Sequence, residues 1–446
     1  MKHVDVLVIG GSAAGLTAAI TSKRHHPEKS ILVIRKEDQV LIPCGIPYIF
    51  GTVGSPEKNL IPDGVLTQNG IDLLVDEATE LDREHGSVRT AGGETVAYER
   101  LILATGSLPA MPPIPGFELD NVFPIFKDVA HLKRMQETLA GVSDLVVIGG
   151  GFIGVEFADE CKKSTGANVS IVEMLPHCLM LAYDEEFCIH AEELLRERGI
   201  TPITGTKVDR LVGTNSVESV ELGSGTTLQA QAVIVGIGAA ANIALAEKAG
   251  LHIGLTGGIA VDRTMRTSDV RIYACGDCAE KVSFFGGRPS PLKLASIATA
   301  EARIAAANLF RTRRESVGTV GVWSTAIGET AFATAGLTEM LATRHGYDYT
   351  VGVAEAPNRH PGGMPGARNM KVKLVFEKHT GVILGGQVMG DPAAGEVINA
   401  ISACIQRRMT AEDVAMFQTG THPALTASPI AYQFVNAAEA AIAAMR

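Results

Sequence analysis

Residues 4–15 read VDVLVIGGSAAG, and residues 145–154 read LVVIGGGFIG. In both, a run of Val, Leu and Ile enters a glycine-rich turn that opens a helical stretch. Glycine lets backbone N–H groups approach a phosphate closely, and the helix N-terminus behind the turn favours an anion. Alone, such a turn is a weak signal. Preceded by a strand and followed by a helix, it predicts a dinucleotide site. Two turns predict two dinucleotides, with electrons passing between them.

Working outward, helix 14–24 and strand SILVIR (30–35) complete a first strand–helix–strand unit. Residues 71–104 read as short strands turning at Gly86 and Gly92-Gly93 and ending in LILA (101–104). The stretch from Pro109 to Pro115 holds four prolines and reads as a crossover. A second unit runs from residue 145 through helix 152–163 to VSIVE (169–173), with strand-like segments at 217–222 and 232–236. Residues 270–280 and the Ala-rich helix 292–310 resume the first unit, so the second is inserted in it. From Val322 the pattern changes to antiparallel-looking strands (347–355, 370–377, 381–389) followed by helices. The predicted fold class is α/β, with two Rossmann-like dinucleotide-binding domains, the second inserted in the first, and a C-terminal α+β domain. The expected boundaries are 1–110 with 240–320, 111–239, and 321–446.

The chain has 446 residues, 46% hydrophobic and 20% charged, a globular composition that allows large cores. Its 48 glycines fit repeated close approaches of backbone to ligand. A net charge of −10 argues against a nucleic-acid partner. No apolar run is long enough to span a bilayer, and VDVLVI, ending in the glycine turn, is a core strand and not a signal-peptide segment. Seven cysteines at irregular spacing give no disulfide framework and no metal pattern, so a reducing, cytoplasmic setting is expected.

Three segments then carry a resemblance. The turn of Gly10, Ser12, Ala13, Ala14 and Gly15 is followed by ATGS (104–107) and IYACGDCAE (272–280). Together they resemble the three FAD fingerprints of the pyridine nucleotide–disulfide oxidoreductases, and the order of domains extends the resemblance to the whole chain. It implies an FAD-binding first domain, an NAD-binding inserted domain and a C-terminal dimerisation domain. Ala104, Thr105, Gly106, Gly276, Asp277 and Ala295 are then FAD contacts, with the Asp277 carboxylate accepting from the ribityl hydroxyls. An acidic ribose partner is expected about 20 residues past the first turn. Arg35 and Lys36 stand there instead, with Glu37 next, and the two cations are candidate FAD contacts.

The second turn keeps all three glycines, Gly149, Gly151 and Gly154, and Ile153 and Gly238 join them as candidate NAD contacts. Glu173, nineteen residues beyond Gly154, ends the next strand. A carboxylate there bonds a ribose diol and repels a 2′-phosphate, so NADH is expected in preference to NADPH. Phe152 aligns with an aromatic that covers the flavin in relatives, and reads equally as a core aromatic. Glu156 matches a helix glutamate of the family near the flavin.

Cys44 lies in IPCGIPY (42–48), where a helix is expected to begin at the cysteine, with Pro47 tolerated in its first turn. A thiol at a helix N-terminus gains thiolate character. The two-cysteine members of the family carry a second cysteine five residues on, and here that position is Ile49. The segment therefore resembles the single-cysteine branch: coenzyme A disulfide reductases, NADH-dependent persulfide or polysulfide reductases, and NADH oxidases and peroxidases. Cys275 and Cys278 flank the Gly-Asp pair and read as packing residues. Peroxidases and water-forming oxidases of this branch place a histidine inside the first turn, where this chain has Ala13. Lacking that acid–base group disfavours both activities. Lys23 and Arg24 match a basic pair presented to coenzyme A phosphates, or form a solvated helix end where cations suit the dipole. Tyr48 is a further candidate substrate contact.

TGTHPALTASP (419–429) resembles the His-Pro segment of dihydrolipoamide dehydrogenase-like enzymes, in which the histidine serves the partner subunit's site as acid–base. That implies a homodimer and assigns the role to His422. His360, in RHPGGMPGAR (359–368), is a second candidate, and the tyrosines usual for coenzyme A disulfide reductases are missing. The reading is an FAD-dependent, NADH-consuming reductase of a small-molecule persulfide, polysulfide or coenzyme A disulfide, with coenzyme A itself a candidate ligand. Cys44 is the nucleophile and His422 supplies a proton. The alternatives are an NADH oxidase working through a cysteine sulfenic acid, and a flavoprotein feeding a protein partner such as a ferredoxin, with Cys44 as redox sensor.

Overall fold

The structure, a computed structural model, describes residues 1–445. The chain groups into two units, one of residues 1–113, 123–141 and 237–319, the other of 114–122, 142–236 and from 320 onward.

The first unit is built on a parallel sheet whose strands run in the order Asp72–Val75, Ile31–Arg35, Lys2–Ile9, Thr95–Leu103 and Ile272–Ala274. Leu7 pairs with Leu32 on one side and Leu101 on the other. Side chains alternate across a strand, and the two faces divide accordingly. Leu7, Ile9, Leu32, Ile34, Leu101 and Leu103 enter one core, while Val6, Val8, Ile31, Val33 and Ile102 enter the other. This double burial explains the unbroken apolar runs that precede the glycine turns. On the second face Ala18 and Ala19 of helix Ala13–His25 meet Ala302, Ala305 and Ala306 of helix Ala295–Asn308, side chains small enough for close helix packing. The strands Ala78–Asp82, Ser87–Thr90 and Thr95–Leu103 form the expected antiparallel meander, with Gly86 and Gly93 at positive φ in its turns.

In the second unit, parallel strands run in the order Ala232–Val235, Asp144–Ile148, Asn168–Val172 and Ile200–Ile203, with helix Phe152–Ser164 following the glycine turn. Its C-terminal part is an antiparallel five-stranded sheet, ordered Val322–Ile327, Thr330–Gly336, Ile383–Gly390, Asn369–Glu377 and Tyr349–Pro357. Helices Ala394–Gln406 and Gln433–Met445 pack on it. The α/β class with a C-terminal α+β part is as expected. Among the described residues no helix is long and apolar enough to cross a membrane.

One local expectation fails. The segment after Cys44 is not an α-helix but two 3-10 turns, Pro43–Gly45 and Pro47–Phe50. Pro47 has no N–H to bond the Pro43 carbonyl four residues back, and that carbonyl accepts instead from Ile46, three residues on. The thiol therefore has no helix macrodipole behind it.

Candidate dinucleotide and thiol sites

The first turn draws its three fingerprint segments together. Gly10 has φ +115°, and a Cβ on it would lie 2.1 Å from the Ala104 carbonyl oxygen. A Cβ on Gly15 would lie 1.9 Å from the Gly10 oxygen, and one on Gly276 would lie 2.8 Å from the Ala14 Cβ. Ser12 stands at the N-cap of helix Ala13–His25, makes no capping bond, and no acidic residue occupies the first turn. Ala295 likewise opens its helix without a side-chain cap. Uncapped amides at a helix N-terminus suit a pyrophosphate. Asp277 supplies a partly exposed carboxylate that accepts from Ser107 Oγ at 2.7 Å, with Lys127 Nζ 3.7 Å away. Thr105 donates to the Asn242 carbonyl at 2.6 Å, which fixes the backbone leading into Gly106. Amide donors at the turn and an acceptor at the strand end are the donor set FAD requires, so these residues fit it.

Arg35 is placed otherwise than its candidacy suggested. Its side chain is 1% exposed, and the guanidinium bonds both oxygens of Asp63 (2.5 and 2.8 Å) and the carbonyls of Glu37 and Asp38. It lies beneath Gly11, whose Cβ would come within 2.4 Å of Arg35 Cδ. Arg35 thus supports the turn from below. Lys36 is exposed and pairs with Glu77.

The second turn repeats the geometry. Gly149 has φ +103°, and a Cβ on Gly154 would lie 1.8 Å from the Gly149 oxygen. Around a Cβ on Gly151, at the N-cap of helix Phe152–Ser164, no atom of the described residues lies within 4 Å apart from its two chain neighbours. That space suits a close-approaching pyrophosphate. Glu173 is buried, and its carboxylate accepts from Gly150 N at 2.6 Å and Leu175 N at 2.8 Å. Ile153 is exposed in the helix's first turn. Gly238 falls in the first unit, its carbonyl accepting from Ala110 N. Phe152 stacks on Trp323, with centroids 6.1 Å apart and planes at 12°, and meets Tyr183 at 5.9 Å. One helical turn further, Glu156 accepts from Thr325 Oγ1 at 2.9 Å, and burial pushes its carboxyl up to about 7.

Cys44 is exposed, whereas the other six cysteines are buried. Burial pushes the thiols of Cys161, Cys178 and Cys188 up to about 12 and that of Cys404 to about 11. Cys275 is raised well above the ordinary range by the same cause. The Cys44 loop is pinned by buried Asn59, which donates to the Ile42 carbonyl at 2.9 Å and leaves room only for a glycine at 45. Ile49, at the position of a second cysteine, is fully buried. Tyr48 is half-buried in the adjoining turn. At the C-terminal end of the first helix, Lys23 donates to the Lys29 carbonyl at 2.9 Å and Arg24 is exposed.

His360 and His422 come together. His360 N donates to the Pro423 carbonyl at 3.1 Å, and its Nδ1 lies 3.0 Å from the Thr426 oxygen. His422 is exposed, and its Nδ1 accepts from Ala424 N at 3.2 Å, which leaves Nε2 to carry the proton of the neutral ring. Exposed Met416, Leu425 and Ile430 lie along the same segment.

Sequence reasoning missed Asn59, Thr325 and the buried ion pair of Lys281 and Glu301. Of these, only Glu301 left a trace, as an acidic residue in an otherwise alanine-rich helix.

Residues 4–302 match the family described as pyridine nucleotide-disulphide oxidoreductase, and residues 322–430 match the dimerisation domain of that description. The chain is similar to NAD(P)H coenzyme A polysulfide/persulfide reductase of Pyrococcus horikoshii, 32% identical over 415 residues and 92% of each chain. It is equally similar to an NADH oxidase of Methanocaldococcus jannaschii, 31% identical over 421 residues and 92% of each. Among solved structures, a NAD-dependent persulfide reductase from A. fulgidus matches with a TM-score of 0.92 and 32% identity, covering 98% of this chain and 83% of that one.

Proposed function

Because the chain belongs to the pyridine nucleotide-disulphide oxidoreductase family and is thereby an NAD(P)H-dependent flavin oxidoreductase, we propose that it reduces the sulfur–sulfur bond of a low-molecular-weight persulfide, polysulfide or coenzyme A disulfide through Cys44. The observation that carries this reading is the contrast among its thiols: one exposed cysteine on a pinned loop, six buried ones, and an isoleucine at the resolving position. Such a site can form a bond to a substrate's sulfur but not an internal disulfide.

The Cys44 thiolate attacks the substrate, forms a new S–S bond and breaks the old one, and the leaving thiolate takes up a proton. FAD held by the first turn and Asp277 would supply the two electrons, drawn from NADH, that the sulfur held on Cys44 requires. These cleave the new bond, restoring the thiolate and releasing hydrosulfide from a persulfide or a thiol from a disulfide. In this proposal His422 of a second copy supplies the proton. The dimerisation-domain match and the exposed apolar side chains beside His422 support that arrangement. Glu173, presenting a carboxylate where a ribose is expected, favours NADH over NADPH. Coenzyme A as a bound ligand finds weaker support, since the Lys23 ammonium is engaged by the Lys29 carbonyl. A reducing, cytoplasmic setting belongs to the same proposal.

The test is anaerobic turnover of Cys44→Ser. The variant should still show flavin bleaching by NADH yet release no sulfide from a persulfide, and retained sulfide release would overturn the mechanism. An oxidase is the second reading, favoured by the similarity to an NADH oxidase and opposed by Ala13. Oxygen uptake far exceeding anaerobic sulfide release would establish it in place of the first.

A further inference from the structure

The two peptide units that flank Gly276, the second leading into Asp277, are each held by one member of a buried pair of opposite charges. Lys281 and Glu301 are 3% and 5% exposed, and Lys281 Nζ lies 3.3 Å from Glu301 Oε2. Glu301 Oε2 accepts the Gly276 N–H at 2.9 Å. The Lys281 ammonium donates to the Gly276 carbonyl and, at 2.9 Å, to the Ala279 carbonyl. Its three protons thus find three acceptors, and both polar groups of Gly276 are bound by opposite members of the pair. Gly276 itself sits at φ +79° against the Ala14 Cβ, and the next side chain, Asp277, accepts from Ser107.

Burying two charges carries a desolvation penalty that an apolar pair of similar volume would avoid. Stability alone therefore does not account for them, whereas the pair does specify the orientation of the two peptide units that meet at Gly276. We infer that Lys281 and Glu301 are positioning residues for the FAD site, fixing the two peptide units that meet at Gly276 and with them the direction of the Asp277 carboxylate. The inference rests on the FAD reading of that site.

Three variants of the full chain test it. E301Q is near-isosteric and keeps an oxygen for the Gly276 N–H, but leaves the ammonium unpaired. K281M strands the Gly276 and Ala279 carbonyls. The double variant K281M/E301Q removes both charges while keeping the acceptor for Gly276. FAD affinity is read from the quenching of flavin fluorescence on titrating FAD with apoprotein, and the fold of each apoprotein from its thermal midpoint. Each single variant should bind FAD about tenfold more weakly or worse, the effect of one buried group left without a partner. The double variant still strands the two carbonyls but no longer buries an unpaired carboxylate, so it should bind FAD about threefold or more tighter than K281M while staying weaker than wild type. Single variants that bind FAD as tightly as wild type would overturn the inference. So would a double variant no better than K281M, since the pairing of the two charges would then contribute nothing at the site. If wild type itself takes up no FAD, the functional reading falls and the inference falls with it.

Discussion

The carboxylate of Glu173 performs two separable tasks, and two substitutions distinguish them. Its oxygens accept from Gly150 N at 2.6 Å and from Leu175 N at 2.8 Å, so it ties the nucleotide turn to the segment after its strand. In the proposed reading its charge also stands at the strand end beside the turn, where such folds hold a ribose. Glu173→Gln keeps the shape but offers one oxygen and one NH2 group. Whichever way the amide lies, one of the two backbone N–H groups meets a donor instead of an acceptor. A buried N–H left without a partner costs about 1–3 kcal/mol, which corresponds to about a tenfold to hundredfold loss where it disturbs the turn that receives the dinucleotide. Removing the charge acts on a different quantity, the choice between NADH and NADPH. Relief of carboxylate–phosphate repulsion near a protein surface, about 1–2 kcal/mol after screening, should narrow that preference about tenfold.

Glu173→Asp supplies the complementary control. The shorter side chain keeps the charge but withdraws from both amides, so affinity for both nucleotides should fall while their ratio holds. The assay is anaerobic bleaching of the flavin absorbance at varied NADH and NADPH. Gln should weaken NADH and compress the ratio, and Asp should weaken both cofactors equally. A Gln variant with wild-type preference, or an Asp variant that loses it, would refute the assignment of specificity to this charge.

The other expectations are simpler. Burial holds Glu156 at about 7 against an ordinary 4.5. A carboxyl that protonates more readily folded than unfolded lowers stability as pH rises from about 4.5 to 7, by up to about 3 kcal/mol for a shift of this size. Glu156→Gln should flatten the pH dependence of urea unfolding across that window, and an unchanged slope would place the titration elsewhere. The adjacent glycines of the second turn should also part company. Gly151→Ala has no protein atom to strike, so it should fold normally while NADH bleaching of the flavin slows. In Gly150→Ala the new methyl would lie 2.8 Å from Cys178 Sγ and 2.9 Å from Glu173 Cβ, so thermal stability itself should fall.

What the sequence made legible was set by backbone chemistry. Double burial imposes unbroken apolar runs, and tight turns impose glycine, so VDVLVIGG and LVVIGG read directly as strand and turn. The strand Thr330–Gly336, TAFATAG, escaped notice because it packs small side chains into a buried position and lacks the β-branched run that marks a strand. The helix expected after Cys44 does not form because the effect of Pro47 falls four residues back, where the Pro43 carbonyl has no N–H from residue 47 and accepts from Ile46 instead. At the sites, the nucleotide turns were readable from spacing. The contact between the His360 and His422 segments was not, since some sixty residues separate them and their link is through backbone carbonyls.

The hidden part of the two nucleotide sites follows one rule, which the fingerprints do not record. Each turn rests on a buried charged side chain from the strand or helix beneath it. Arg35 underlies Gly11, Glu173 underlies Gly150, and Lys281 with Glu301 encloses Gly276. In sequence these residues look like surface charges at a strand end, after a turn or within a helix. For Glu173, Lys281 and Glu301 burial is tolerated because the turns need them: amides directed toward a ligand leave other backbone groups facing inward, and those groups require partners that an apolar core cannot give. The sign of each charge follows the group it meets. Glu173 and Glu301 accept from amides, Lys281 donates to carbonyls, and Arg35, already paired with Asp63, donates to the carbonyls of Glu37 and Asp38. This also explains why glycine extends beyond the fingerprint positions to residues 11 and 150, where a methyl would strike not the ligand but the side chain that supports the turn.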